Sequence, residues 1–191
     1  MSRDGLRGPQ PGWSAISVCQ LKGHSFSVPE GDGKWTWSDG HFTYFLDNSP
    51  VTDAALQSLG PMPELNDLSL TRTLITDEAV PMIVKQFPGL EVLRLDRTTV
   101  TDKNLGELGR LKSLEQLSLF RTRISDSGCS KLAKMSTLRK LSLDQTHITD
   151  VGFKALGQIS KLGSLSVWKT QVTDEAAAEF SQLYPNMRLN R

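Results

Sequence analysis

The chain has 191 residues, a length that fits one domain. Its 22 basic and 21 acidic residues leave a net charge of +1, so no overall charge favours nucleic acid or an anionic membrane as a partner. No apolar run approaches the roughly 20 residues that span a bilayer. Composition therefore favours one globular unit with neither a nucleic-acid nor a membrane partner.

The N-terminal segment, residues 1–23, is predicted to be flexible or poorly defined. Its first 12 residues contain three Gly and two Pro without any periodicity. Arg3 and Arg7 are not followed by the apolar stretch of an export signal, so we expect a cytoplasmic protein. A signal upstream of the assigned start would change that expectation.

Residues 24–40 are predicted to form a β-hairpin. Apolar and polar residues alternate around Phe26 and Val28 and again around Trp35 and Trp37, with a Gly-containing turn between them at 30–33. Because the end of a repeat array exposes its core, we interpret the hairpin as an N-terminal cap. The alternative is an aromatic ligand site at Trp35 and Trp37.

From residue 41 to residue 191, one phrase of leucines, a hydroxyl residue and an aspartate recurs about six times. The phrases close at Asp53, Asp77, Asp102, Asp126, Asp150 and Asp174. These aspartates lie 24, 25, 24, 24 and 24 residues apart, which indicates a repeat architecture. The last residues, 188–191, suffice for a short closing strand.

Each repeat predicts one strand and one helix. Leucines two apart point to one face of a strand, and the Thr-Asp or Ser-Asp pair after it is typical of a helix start. Apolar residues three and six positions after each Asp, such as Phe153 and Leu156, then form a buried helical stripe. Cys129 takes one of these positions, so we expect a buried thiol in preference to a disulfide or a nucleophile. Strands joined by such crossovers pair in parallel, which predicts a right-handed α/β solenoid with a concave sheet and convex helices.

The phrase L-x-x-L-x-L-x-x-T-x-[IV]-[TS]-D resembles leucine-rich repeats, in particular a Thr-Asp subtype common in bacterial proteins. It is more distantly similar to the cysteine-containing repeats of F-box adaptors, which have Cys where this chain has Thr73, Thr98, Thr122, Thr146 and Thr170. The resemblance implies a horseshoe segment whose concave sheet binds another macromolecule.

The residues that alternate with the leucines are predicted to share the concave face in three rows. The central row is mostly serine, whereas the third row contains the aromatic residues Phe120 and Trp168. Large aromatic groups ringed by charges are typical of an interface. We therefore predict a partner-binding site at Arg94, Asp96, Phe120, Arg121, Lys140, Asp144 and Trp168.

A row of mainly basic residues is predicted at the strand ends. We call it the basic file, and its members are Arg72, Arg97, Arg121, Gln145 and Lys169. One interpretation is that it contributes to partner binding. The other is that it is a solvated edge that pairs with Asp96 and Asp144.

The sequence gives little support for catalysis. His24, His41 and His147 lie in the hairpin, the first repeat and a turn, so they do not converge on a metal. No nucleophile elbow, phosphate loop or zinc motif occurs. We predict a monomeric, non-catalytic protein-binding module that uses no cofactor and no metal. The alternatives are a substrate-recognition subunit similar to F-box adaptors, which needs a recruiting motif in residues 1–40, and an enzyme or nucleotide binder.

Overall fold

The computed structural model describes residues 34–38 and 41–191, with side chains from residue 41 onward. Within these residues the strands form one sheet in chain order. The strands are β1 (Lys34–Ser38), β2 (His41–Phe45), β3 (Leu65–Ser69), β4 (Val92–Arg94), β5 (Gln116–Ser118), β6 (Lys140–Ser142), β7 (Ser164–Ser166) and β8 (Arg188–Asn190). β1 is antiparallel to β2, and β2 to β8 are parallel. The predicted solenoid with a parallel sheet is confirmed.

One short helix follows each strand from β2 to β7. The helices are α1 (Asp53–Ser58), α2 (Ala79–Gln86), a 3₁₀ helix (Leu105–Arg110), α3 (Asp126–Leu132), α4 (Asp150–Leu156) and α5 (Asp174–Leu183). The third repeat was expected to form an α-helix like the others. Gly106 and Gly109 both fall within its six residues, and glycine loses more backbone entropy in a helix than any other residue.

The predicted strand register is confirmed by the pairing of the strands. The middle leucines Leu68, Leu93, Leu117, Leu141, Leu165 and Leu189 lie side by side in one row. The residues before and after them form the first and central rows of the concave face. β8 extends both rows with Arg188 and Asn190.

A single apolar core runs through the repeats. The leucines, the helical stripe and the residues of the return turns form one continuous cluster, in which Leu141, Phe153 and Leu156 are at most 2% exposed. Cys129 is fully buried in the same stripe, and this burial raises the pKa of its thiol to about 12. Its thiol is therefore uncharged at neutral pH.

At the N-terminal end, β1 pairs with β2 along its whole length, from Lys34 beside Phe45 to Ser38 beside His41. The predicted strand around Phe26 and Val28 and the predicted flexible segment at 1–23 lie outside the described residues. The division of the chain into a cap and a repeat domain therefore stays a prediction.

The hydroxyl residues start the helices in four repeats. Thr52, Ser125, Thr149 and Thr173 accept a hydrogen bond from a backbone N–H two or three residues ahead. In the second and third repeats, the helix begins later, at Ala79 and Leu105, without a side-chain cap. The hydroxyls of Thr76 and Thr101 still accept from the N–H two residues ahead, so the turn is kept although the helix is delayed.

The aspartates at the helix starts connect neighbouring repeats, a role that the sequence analysis did not predict. Each uses one carboxylate oxygen for the N–H and the other for the hydroxyl of the Thr or Ser one repeat further on. The pairs are Asp53 with Thr76, Asp77 with Thr101, Asp102 with Ser125, Asp126 with Thr149, and Asp150 with Thr173. The N–H donors lie 2.7–3.0 Å from these oxygens. We call this row the helix-start ladder.

The helix-start ladder fits closely under the next helix. A Cβ atom on Gly152 would lie 2.3 Å from Oδ1 of Asp126 and 2.8 Å from its Cα. Because Asp126 is held by both of its hydrogen bonds, it cannot move away cheaply. A residue without a side chain at position 152 lets α4 pack against the ladder.

Candidate protein-binding surface

The chain leaves each strand through a left-handed turn at the same place in all six repeats. The residues in this conformation have φ between 53° and 57° and are Asn48, Arg72, Arg97, Arg121, Gln145 and Lys169. For a residue other than glycine, this conformation costs on the order of 1 kcal/mol or more, so the surrounding fold must hold it.

Two hydrogen bonds hold each of the first five of these turns, as the fourth repeat illustrates. The N–H of Arg121 donates to the carbonyl of Asp144 in the next repeat at 2.8 Å. The buried hydroxyl of Thr122 donates to the carbonyl of Leu119 at 2.6 Å. The hydroxyls of the threonines at the same place in the other repeats make the same bond, so this row satisfies the last strand carbonyls. The basic file is thus set at fixed positions along one edge of the sheet.

A shallow groove of about 210 Å³ crosses the concave face from β4 to β7. Its floor is made of small residues, among them Ser118, Ser142 and Ser166 of the central row. Arg94 and Lys140, two of the predicted site residues, line it together with Gln116 and Ser164. The small side chains of the central row therefore leave an open groove on this face of the sheet.

Aspartates at the strand ends bond to the next repeat in a different way from the helix-start ladder. Oδ1 of Asp96 accepts from the hydroxyl of Ser118 and from the N–H of Phe120 at 2.8 Å. Oδ1 of Asp144 accepts from the hydroxyl of Ser166 at 2.7 Å and from the N–H of Trp168 at 2.6 Å. Asp47 makes the same two bonds to Ser69 and Thr71. We call these three the strand-end aspartates.

Three charged residues of the predicted site make bonds within the fold. Asp96 was expected among the charges around the site and Asp144 at its centre, and Oδ1 of each accepts the two hydrogen bonds described above. Arg94 was also expected among the surrounding charges, and its guanidinium pairs with Asp67 of the neighbouring strand. Asp67 belongs to the first row, and the sequence analysis did not consider it as a partner of Arg94.

The two aromatic residues of the predicted site differ in exposure. Trp168 is 41% exposed, and the ammonium of Lys169 lies 4.1 Å from the centre of its ring. Phe120, which was expected to be exposed, is half-buried, and the guanidinium of Arg97 lies over its ring at 5.2 Å. Both contacts are within the range of cation–π attraction. Each ring thus has a cation from the basic file beside it.

The interpretation that the basic file pairs with the strand-end aspartates is wrong. In the part of the chain that the structure describes, neither Asp96 nor Asp144 forms an ion pair with a residue of the file. At the opposite edge, where the strands begin, Glu115 forms an ion pair with Arg139 at 3.0 Å, and Glu91 accepts a hydrogen bond from the side-chain amide of Asn66 at 3.2 Å. The acids at this edge are therefore engaged with neighbouring side chains, whereas the basic file has no carboxylate partner among the described residues.

Sequence reasoning missed two features of this surface. Gln116 and Ser164 line the groove, although nothing in their residue types marked them as functional. The strand-end aspartates were recognised as charges but not as connections between repeats. A signal for that role was present, because the third row holds Asp only in alternate repeats, at Asp47, Asp96 and Asp144.

Two further features bear on the kind of site this is. None of the helices in residues 34–38 and 41–191 is long and apolar enough to cross a membrane. The same residues contain no group of three or more His, Cys, Asp or Glu side chains that could hold a metal ion.

Comparisons with known proteins agree with this architecture. A family model described as "Leucine Rich repeat" matches residues 110–133 and 134–157. The structure is similar to a leucine-rich repeat protein of Leptospira interrogans, with 22% identity and a TM-score of 0.54 over 77% of this chain. It covers 35% of the length of that protein. Internalin C2 of Listeria monocytogenes is 19% identical, with a TM-score of 0.47 and 77% of both chains covered.

No curated protein matches the sequence. The recurring Leu-x-x-Leu-x-Leu strands and the parallel sheet form a solenoid with the leucine-rich repeat fold, and the two matched repeats lie within it. Its fold is similar to that of bacterial leucine-rich repeat proteins. Repeats of this kind generally serve as protein-interaction modules.

Proposed function

We propose that the chain is a non-catalytic module that binds a partner protein on its concave sheet. The observation that carries the proposal is the groove across β4 to β7, whose serine floor leaves room for side chains of a partner. Trp168 lies on the same sheet face at the strand ends and exposes 41% of its surface. Exposed tryptophan beside polar groups is typical of residues that dominate binding energy.

The residues of this site have different roles in the proposal. Trp168 and the half-buried Phe120 would supply apolar contact, while Arg94 and Lys140 would provide hydrogen-bond donors at the groove. Arg121 would extend the donors to the strand-end edge. Asp96 and Asp144 would act indirectly, since they hold the backbone N–H groups of Phe120 and Trp168 in place.

The test begins with capture of a partner from a lysate of the source cells on the immobilised protein. The captured protein is identified, purified and titrated against variants by calorimetry. We expect Trp168→Ala to weaken binding by about 2 kcal/mol or more, which corresponds to roughly thirtyfold. Ser142→Arg should abolish binding because its side chain fills the groove without entering the leucine core.

Val151→Ala is the matched control, because Val151 is 73% exposed on the convex side. It should bind the partner as the wild type does. Unchanged binding by both Trp168→Ala and Ser142→Arg would place the site elsewhere on the molecule. The alternative of an adaptor similar to F-box proteins stays a prediction, because residues 1–33 lie outside the described residues.

A further inference from the structure

Four positive side chains lie along the strand-end edge of the concave face without a carboxylate partner among the described residues. We define them as the cation file: Arg72, Arg97, Arg121 and Lys169. Arg72 donates to the amide oxygen of Asn48 at 3.4 Å. Arg97 and Lys169 lie over aromatic rings, and Arg121 is exposed and its guanidinium forms no hydrogen bond or ion pair with another described residue.

The fold itself does not require cations at these positions. Asn48 and Gln145 adopt the same left-handed turn, with φ of 57° and 55°, so neutral residues are compatible with it. This conformation favours Gly, Asn or Asp, whereas long side chains such as Arg and Lys have no local advantage there. Backbone geometry therefore does not explain the choice of Arg and Lys at these positions, and of the four only Arg97 and Lys169 lie over an aromatic ring.

No carboxylate of the described residues forms an ion pair with the cation file. Asp96 and Asp144 stand next to it in sequence, but each turns its Oδ1 toward two donors of the following repeat. Glu115, which pairs with Arg139, lies at the opposite edge, where the strands start. Although the whole chain has a net charge of only +1, the strand-end edge presents positive groups to solvent.

We infer that the cation file binds an acidic, extended segment of a partner protein that crosses the strands at this edge. The inference rests on the proposed function and adds the chemistry of the partner. Neighbouring strands are about 4.8 Å apart, so the four steps from Arg72 to Lys169 span about 19 Å. An extended segment of about six residues covers this distance. The guanidinium fork suits carboxylates, because it can donate two parallel hydrogen bonds to one group.

A protein segment fits this edge better than a nucleic acid does. Four cations in one file offer fewer phosphate contacts than the roughly 6–10 that are typical of tight nucleic-acid binding. In addition, the neutral Gln145 lies between Arg121 and Lys169 of the cation file. Short acidic segments with gaps between their carboxylates match this pattern.

The test uses the full chain and a fluorescein-labelled peptide of about eight residues in which Glu and Ser alternate. Binding is measured by fluorescence anisotropy at low salt, with a Gln-Ser peptide as the neutral comparison. We expect the Glu-Ser peptide to bind and the double variant Arg97→Gln/Arg121→Gln to bind it at least about tenfold more weakly. Raising the salt concentration should weaken the wild-type complex.

The matched control is Arg110→Gln/Lys134→Gln, which removes the same charge from the convex side. It should bind the peptide within about twofold of the wild type, and melting curves should confirm that both double variants are folded. Equal losses in the two double variants, or no loss in either, would overturn the inference. So would tighter binding of a single-stranded oligonucleotide of equal charge that depends on Arg97 and Arg121.

This test is independent of the partner captured from the lysate. If Trp168→Ala loses the captured partner while the Glu-Ser peptide does not bind, only the acidic-segment inference fails. If the peptide binds through Arg97 and Arg121 while Trp168→Ala and Ser142→Arg keep the captured partner, the groove proposal fails instead.

Discussion

Two sets of aspartates connect successive repeats, and they differ in how they use their oxygens. In the helix-start ladder, each Asp uses both oxygens for one residue, as Asp126 does for the N–H and hydroxyl of Thr149. A strand-end aspartate uses one oxygen for donors on two residues, as Asp96 does for Ser118 and Phe120. The ladder continues through five repeat interfaces without a gap, whereas the strand-end aspartates occur in alternate repeats.

The difference shows which edge of the repeat is required for the packing of successive repeats. The helix-start bonds occur at all five interfaces, and a Thr-Asp or Ser-Asp pair recurs in each repeat. The strand-end bonds occur only at alternate interfaces, since Thr71, Phe120 and Trp168 occupy the same row and have no carboxylate to offer the next repeat. This third row is therefore where side chains are available for a partner.

The electrostatics of the two sets also differ. The N–H of Thr173 holds the pKa of Asp150, in the helix-start ladder, below its ordinary value. Burial raises the pKa of Asp96 above its ordinary 3.8, although the bonds from Ser118 and Phe120 oppose that effect. The site of Asp150 thus favours the ionised carboxylate, while the strand-end site of Asp96 penalises it.

The largest effect is expected from breaking the helix-start ladder at its centre. Asp126→Ala removes the acceptor of both the N–H and the hydroxyl of Thr149, which lie at 2.8 and 2.6 Å. Leaving two partly buried donors unpaired should lower the free energy of unfolding by about 2–4 kcal/mol. Asp126→Asn should also destabilise, because it replaces one of the two acceptors by a donor. Urea titration measures both effects.

Asp174 provides the control for this prediction. It begins α5 as Asp126 begins α3, but no hydroxyl residue of a following repeat bonds to it, and its side chain is 94% exposed. Asp174→Ala should cost less than about 1 kcal/mol, through the surface pair with Arg191 and the helix dipole. Equal losses at Asp126 and Asp174 would mean that the ladder adds nothing between repeats.

A smaller effect of different sign is expected at the strand end. Asp96→Asn keeps an oxygen that can accept from both Ser118 and Phe120, and it removes a charge that burial penalises. It should therefore be as stable as the wild type or slightly more stable at neutral pH. Asp96→Ala should lose about 1–3 kcal/mol because both donors lose their acceptor.

The pH dependence gives this prediction its sign. Because the folded pKa of Asp96 is raised, the folded state binds a proton more tightly than the unfolded state. The penalty is complete at neutral pH and disappears as the pH falls through the raised pKa toward 3.8. Any advantage of Asp96→Asn over the wild type should shrink over the same range. An advantage that grows on acidification would contradict the assignment.

The sequence predicted the fold well because its strongest signals are local and periodic. The spacing of the leucines defined the strand register, and the stripe through Cys129 and Phe153 defined the buried helix face. The later start of α2 at Ala79 and the 3₁₀ helix at Leu105 were not predicted. The second repeat has one extra residue and the helix of the third has two glycines, and a pattern averaged over all repeats does not show these differences.

The candidate site was less predictable, because its hydrogen bonds join residues about one repeat apart. Asp96 and Asp126 both carry carboxylates, and residue type alone does not tell which donors each one meets. The left-handed turn at Arg121 has no local sequence signal, since Asn48 alone is a residue that favours it. The lack of ion pairs along the basic file became clear only when the strand-end aspartates were seen to be engaged.

The smallest effect on the free energy of unfolding is expected at the cation file, because the left-handed turn does not require Arg or Lys. Arg121 has φ of 55°, and its exposed guanidinium forms no hydrogen bond or ion pair with another described residue. Arg121→Asn places a residue that tolerates this conformation in the turn and keeps the N–H donor to Asp144. We expect the free energy of unfolding to rise by about 0.5–1 kcal/mol.

Arg123→Asn is the matched control, because Arg123 is exposed two residues further on and does not have positive φ. It should change stability by no more than about 0.5 kcal/mol. Urea titration gives both values, and the Glu-Ser peptide should bind less tightly to Arg121→Asn than to Arg123→Asn. If Arg121→Asn is more stable than the wild type and binds the peptide less tightly, the arginine at this position serves binding and not the stability of the fold. A loss of stability in Arg121→Asn would instead mean that the arginine serves the fold, and the cation file would then lose its central member as a free binding group.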